Sequence, residues 1–217
     1  MLAVGLILIP PRSSSPVAVA SPTASGAAAT VGPTRDGAPT PFPPINLGGT
    51  GSQDVAFSIP GGSSGLASII NDGQGPFTVW TVGPDGTRNE QLVGVVGPFS
   101  GTRLFDENSH STAFSVESDG TWSIEINPIS SARTWDLSER LTGDGSDVVL
   151  VLPPTSADTN TIVRYDGESN FVVSAYTVSG KVQLLNDVGR LEELLVLPAG
   201  TSLIEVQADA AWSLAPR

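Results

Sequence analysis

The sequence predicts an all-β protein: two tandem β-sandwich repeats, immunoglobulin-like or jelly-roll-like, behind a disordered N-terminal stalk. Three observations carry that expectation. Residues 46–217 repeat themselves in four ordered blocks. Short runs of alternating or β-branched apolar residues dominate those blocks, with Gly, Pro and Asp-Gly turn signals about every ten residues. The first 45 residues follow a different composition altogether.

The chain begins with Met1-Leu2-Ala3-Val4-Gly5-Leu6-Ile7-Leu8-Ile9, an apolar run that Pro10-Pro11 ends. A spanning helix needs about 20 apolar residues. Residues 1–11 therefore read as a degenerate signal peptide, or as the outer half of a membrane anchor that begins upstream. A plain apolar tail on a cytoplasmic protein is the third reading. Ala18-Val19-Ala20 has the small-residue form of a signal-peptidase site, whereas the basic n-region is missing and Arg12 lies on the wrong side. Residues 12–45 are a Pro/Ser/Thr/Ala-rich linker, and residues 1–45 hold nine of the 18 prolines. Such a segment buries too little surface to offset its ordering entropy. In polyproline II form it would hold a domain on the order of 100 Å from a surface.

The repeat is the most informative feature. Gly51 to Pro60 recurs as Gly145 to Pro153, and Asp72-Gly73 followed by Phe77 recurs as Asp166-Gly167 followed by Phe171. Leu92-Val93 with Val96-Gly97 recurs as Leu184-Leu185 with Val188-Gly189. Val116 to Ile124, with Asp119 and Trp122, recurs as Val206 to Leu214, with Asp209 and Trp212. The offset drifts only from 94 to 90, which fits a duplicated domain. The repeats span residues 46–129 and 141–217, with 130–140 connecting them.

Each copy reads as strands. Val55 to Ile59 alternates apolar with small residues, and Thr121 to Ile126 sends Trp122, Ile124 and Ile126 to one side. Thr161 to Tyr165, Asn170 to Val178 and Ser202 to Val206 are β-branched or aromatic-rich. Asp119-Gly120 reads as a hairpin joining the last two strands of the first copy. Two stretches carry helical spacing: Ala132 to Leu141, between the copies, and Asn186 to Leu195, which Gly189 interrupts. Trp122 and Trp212 suit the large buried anchor of each core.

The layout joins a Pro/Ser/Thr/Ala stalk to two copies that end in Asp-x-x-Trp-Ser (Asp119 to Ser123, Asp209 to Ser213), with nine Arg against one Lys. In this the chain resembles stalked or membrane-anchored surface proteins of high-GC Gram-positive bacteria that carry tandem β-sandwich repeats. The resemblance implies an extracytoplasmic address, secreted or membrane-anchored, in the cell envelope. It assigns no functional residue.

Composition excludes some chemistry. There is no Cys for a thiolate metal site or a disulfide scaffold, and a net charge of -12 opposes a nucleic-acid partner. Contact with a membrane is expected only through the N-terminal segment. His110, beside Asp106 and Glu107, could act as a base only with a serine nucleophile, and the second copy has no counterpart. Asp72, Asp119, Asp166 and Asp209 could pair as glycosidase carboxylates, but each sits in a turn signature. Asp144 and Asp147, echoed by Asp54, are the nearest approach to a Ca²⁺ loop, without its full ligand spacing. No catalytic, cofactor or metal residue is assigned, and Ca²⁺ is the one cofactor weighed. Trp80, Trp135, Tyr165 and Tyr176 are candidates for a ligand platform. Alternation turns Trp80 away from Phe77 and Val79, where the second copy has Ser174, and Trp135 is expected to plug the interface between modules. The expected function is non-catalytic display, adhesion or binding of a protein or glycan ligand. A carbohydrate-binding accessory module is the alternative, and a hydrolase with an unrecognised site the further one.

Overall fold

The computed structural model describes residues 42–62 and 64–217, which lie within one compact unit. The apolar segment 1–11 and most of the linker 12–45 lie outside the described residues.

Eight strands make the first copy: β1 (Ile45–Thr50), β2 (Gln53–Ala56), β3 (Gly65–Asn71), β4 (Pro76–Val82), β5 (Arg88–Val96), β6 (Phe99–Phe105), β7 (Ala113–Glu117) and β8 (Thr121–Pro128). They form two antiparallel sheets, ordered β1-β8-β3-β6 and β2-β7-β4-β5. This is the jelly-roll order, in which successive strands alternate between sheets except at the β4–β5 hairpin. Of the two sandwich types expected, the jelly roll is the one formed.

A short strand β9 (Arg133–Trp135) precedes the second copy, which has β10 (Leu141–Asp144), β11 (Asp147–Val151), β12 (Thr159–Tyr165), β13 (Asn170–Thr177), β14 (Gly180–Val188), β15 (Leu191–Leu197), β16 (Leu203–Gln207) and β17 (Ala211–Pro216). Its sheets are β10-β17-β12-β15 and β14-β13-β16-β11-β9, the first copy's order with one strand added.

Side-chain alternation fills each core. On β8, Trp122, Ile124 and Ile126 are buried while Ser123 and Glu125 are exposed. They meet Phe77, Val79 and Phe114 from the facing sheet and Phe105 from their own. In the second copy Trp212, Leu214, Phe171, Val173, Ile204 and Val206 do the same. Phe42 is buried in the first core and β1 starts at Ile45, so the described end of the linker belongs to the folded part.

Three local expectations are corrected. Ala132 to Leu141 is not helical. A 3-10 turn at Ile129–Ser131 leads into β9, which runs parallel to β11. That pairing takes the backbone of Arg133 to Trp135, and Asp136 then captures the amide and hydroxyl of Ser138 in a turn. Asn186 to Leu195 is strand, and Gly189 (φ 88°) turns the chain from β14 to β15 where Gly97 (φ 101°) turns it from β5 to β6. Asp119-Gly120 makes no hairpin, because β7 and β8 lie in different sheets and the turn crosses between them.

The repeat signature explains that crossing. Asp72 Oδ1 accepts the amide of Thr121 at 2.6 Å, and Asp119 Oδ2 accepts that of Gly75 at 2.9 Å. In the second copy Asp209 accepts from the Tyr165 hydroxyl instead, and Gly167 lies so close under Tyr165 that a Cβ would collide with its ring. Asp166 stands 3.7 Å from Arg190 at the surface. Trp122 Nε1 donates to Gly51 O (2.9 Å) and Trp212 Nε1 to Gly145 O (2.8 Å), so each indole ties β8 or β17 to the chain leaving the first strand.

Candidate functional site

The most distinctive polar arrangement lies where the two sandwiches meet. The open edge of the first copy, β6 with β5 beside it, rests on the outer face of the second copy's β13-β16-β11 sheet. Leu66 and Leu104 pack there against Val148, Tyr176 and Leu203. Thr102 donates its amide to Ser146 O at 2.8 Å, and Gly101 comes so near Ser146 that a side chain would not fit between them.

Beside this apolar seam sits a buried charge network. Glu205 Oε1 accepts from Arg103 Nε at 3.0 Å, and its Oε2 accepts from Lys181 Nζ at 3.0 Å and the Tyr176 hydroxyl at 2.9 Å. Glu205 is 2% exposed and Arg103 8%. Burial pushes the Glu205 carboxyl up, but Arg103, Lys181 and the hydrogen bonds from Lys181 and Tyr176 together hold it below its ordinary range. Glu90 is raised, first by burial and then by the charge of Glu205. Glu107 is raised, chiefly by burial. Burial and the neighbouring carboxylates raise Tyr176, so it remains a hydrogen donor.

A groove of about 940 Å³ opens alongside the seam, with walls from both copies. β5 and the start of β6 contribute Gln91, Val95, Pro98 and Phe99 on one side. Asn170 and Gln207 stand on the other, and Arg103 also lines it. The groove therefore offers amide donors and acceptors beside apolar surface, with one buried guanidinium. That set can hold a ligand rich in hydroxyl or amide groups.

The four platform candidates do not form a platform. Tyr165 is fully buried and stacked on Phe171 at 4.3 Å, and its hydroxyl is pushed up to about 12 by burial and by Asp209. Tyr176 is buried at the seam. Trp135 fills the second core rather than the interface, because β9 places it against β11; its Nε1 donates to Glu139 O at 2.8 Å. Trp80 alone is partly open, on the outer face as its alternation requires, with the Arg88 guanidinium 5.5 Å from its ring centre.

His110 is exposed, and the Asp106 carboxylate does not orient it. Asp106 accepts instead from Ser109 Oγ (2.8 Å), Ser111 Oγ (2.6 Å) and Ser111 N (2.8 Å). Asp147 pairs with Arg133 at 2.6 Å, and among the described residues no three His, Asp or Glu side chains gather as around a metal ion. The sequence reading missed Arg103, Glu205, Gln91, Asn170 and Gln207. A signal for two of them existed: Glu205 interrupts the apolar run Leu203-Ile204-Glu205-Val206 in one copy only, and the register sets Leu195 where the first copy has Arg103.

The fold and groove define a class, a tandem jelly-roll protein with a polar inter-repeat groove. No protein-family model matches the chain, and no curated protein does. Among solved structures it is similar to one described as "cAMP bound PfPKA-R (141-441)", at 8% identity over 76% of this chain and 71% of that one, with a TM-score of 0.21. A superposition that loose carries no argument about function.

Proposed function

We propose that this chain is a non-catalytic display or adhesion module of the cell envelope, extracytoplasmic and secreted or membrane-anchored, that binds a protein or glycan in its inter-repeat groove. The groove is the observation that carries the reading: both copies build it, and the buried seam beside it fixes their spacing. The proline-rich composition of residues 12–45 supports the address, as a spacer between an anchor and a folded head. The buried carboxylate beside the groove serves the seam rather than a reaction. Glu205 is spent on Arg103, Lys181 and Tyr176.

A carbohydrate-binding accessory module is the second reading. It is favoured by the amides of Gln91, Asn170 and Gln207 beside the apolar surface of Pro98 and Phe99. Sugars present hydroxyls to such amides and C–H faces to such walls.

Cell fractionation tests the address, and a protein found wholly in the cytosol overturns it. A panel of glycans and cell-wall fractions tests the ligand. Gln207→Ala and Asn170→Ala should each weaken the bound member by about 1 kcal/mol, roughly fivefold. Binding that ignores both substitutions removes the groove from the proposal.

A further inference from the structure

The contact between the two sandwiches is heterologous, and the shared topology gives each sandwich the strands of both halves. The first copy uses its β5–β6 edge; the second uses the outer face of β13-β16-β11. One face and one edge are therefore left over. We propose that a second copy of this chain fills them head to tail, the β14–β15 edge of one chain seating on the outer face of the β2-β7-β4-β5 sheet of the next.

The register identifies equivalent positions. Trp80 pairs with Ser115 as Ser174 pairs with Glu205. Yet Ser174 is 1% exposed under the seam, while Trp80 lies partly open. Leu104 lies opposite Leu66 as Val196 lies opposite Asn160. Leu104 is 5% exposed and Val196 46%, with Leu194 beside it at 49%. The unused edge thus keeps an apolar residue in the place of Leu104, while Asn160 stands in the place of Leu66. Val182 and Val188 on β14 extend the apolar surface at 41% and 69% exposure.

The unused edge carries exposed Glu192 and Glu193, of which Glu192 pairs with Arg164 at 2.9 Å, and the unused face carries Arg88, 45% exposed, stacked over Trp80 and paired with Glu117 at 2.8 Å. Arg88 occupies the register position of Lys181, which within the chain serves Glu205. An edge carboxylate reaching Arg88 would reverse the signs of the Arg103–Glu205 pair, in which the edge is basic and the face acidic, and would share Arg88 with Glu117. A heterologous contact of this kind generates an open series or a ring, unlike a two-fold dimer. The net charge of -12 opposes the approach of copies, so physiological salt should favour assembly over low salt.

Sedimentation of the full chain across a concentration series tests this. The mass should rise with concentration beyond a dimer. Trp80→Glu, which spoils the face, and Val196→Lys, which spoils the edge, should each sediment as single chains. Mixed together they should form dimers that grow no further, since one intact edge and one intact face remain. Circular dichroism and melting temperature confirm that each variant is folded. A wild-type chain that stays single at every concentration overturns the proposal. So does a Trp80→Glu chain that still associates with itself, which would mean an edge-to-edge contact.

Discussion

Glu205 shows how much one side chain can decide. Its carboxylate is nearly out of water and holds Arg103, Lys181 and Tyr176 together. Glu205→Ala leaves the Arg103 guanidinium buried without its partner, and should cost about 3–5 kcal/mol in urea unfolding. Replacing both partners, Arg103→Met with Glu205→Leu, should recover most of that loss. The pH dependence follows from the signs. Glu205 titrates below its ordinary 4.5, so its contribution is complete above that value and is lost as pH falls through the lowered one. Glu90 and Glu107 titrate above 4.5, so theirs is present below that value and is lost as pH rises through the raised ones. Stability should therefore peak in mildly acidic solution rather than at neutrality. Glu90→Gln and Glu107→Gln together should flatten the neutral side of the curve. Neither Arg103 nor Glu205 could be paired from sequence, because they are 102 residues apart and the repeat offers no precedent.

At the level of elements, the sequence was legible wherever local chemistry and final pairing agreed. Trp122, Ile124 and Ile126 alternate on β8, and they are buried in the core. Asn170 to Val178 reads as strand, and β13 fills all but its last residue, between β14 and β16. Legibility failed where a partner distant in sequence decides. Arg133-Thr134-Trp135 has no pattern of its own and becomes a strand only because β11 lies open beside it. The spacing of Asn186 to Leu195 fits a helix, but the Gly189 turn divides it between two edge strands. The signature glycines carry a specific demand. Gly167→Ala would push a methyl into the end of the Tyr165 ring, which its stacking on Phe171 holds in place, and against the Asp209 carboxylate. It should cost about 1–3 kcal/mol and lower the melting temperature of the second sandwich.

At the scale of the whole molecule, the seam couples two cores that are otherwise separate. Leu66 and Leu104 on one side meet Val148, Tyr176 and Leu203 on the other. Calorimetry of the full chain should show a single transition. Leu104→Asp buries an unpaired charge in the seam without touching either core. It should split the trace into two transitions, one per sandwich. If the split does not appear, the cores are coupled by something other than this surface. The groove was the part of the molecule least visible in the sequence, since one wall comes from residues between Gln91 and Arg103 and the other from residues between Asp144 and Asp209. Repetition announced the two sandwiches but could not announce how one leans on the other.

The connection between the copies also keeps time. β9 is part of the second sandwich, and Ile129 and Ala132 pack at the seam only a few residues before it. A strand presents alternate residues to opposite sides. One residue inserted between Ala132 and Arg133 would have to bulge out, or else turn Trp135 away from its core and Arg133 away from Asp147. Two inserted residues restore the phase and need only a longer loop. Insertions here should thus be tolerated by parity rather than by size, so that the eleven-residue connection 130–140 behaves as a counted link.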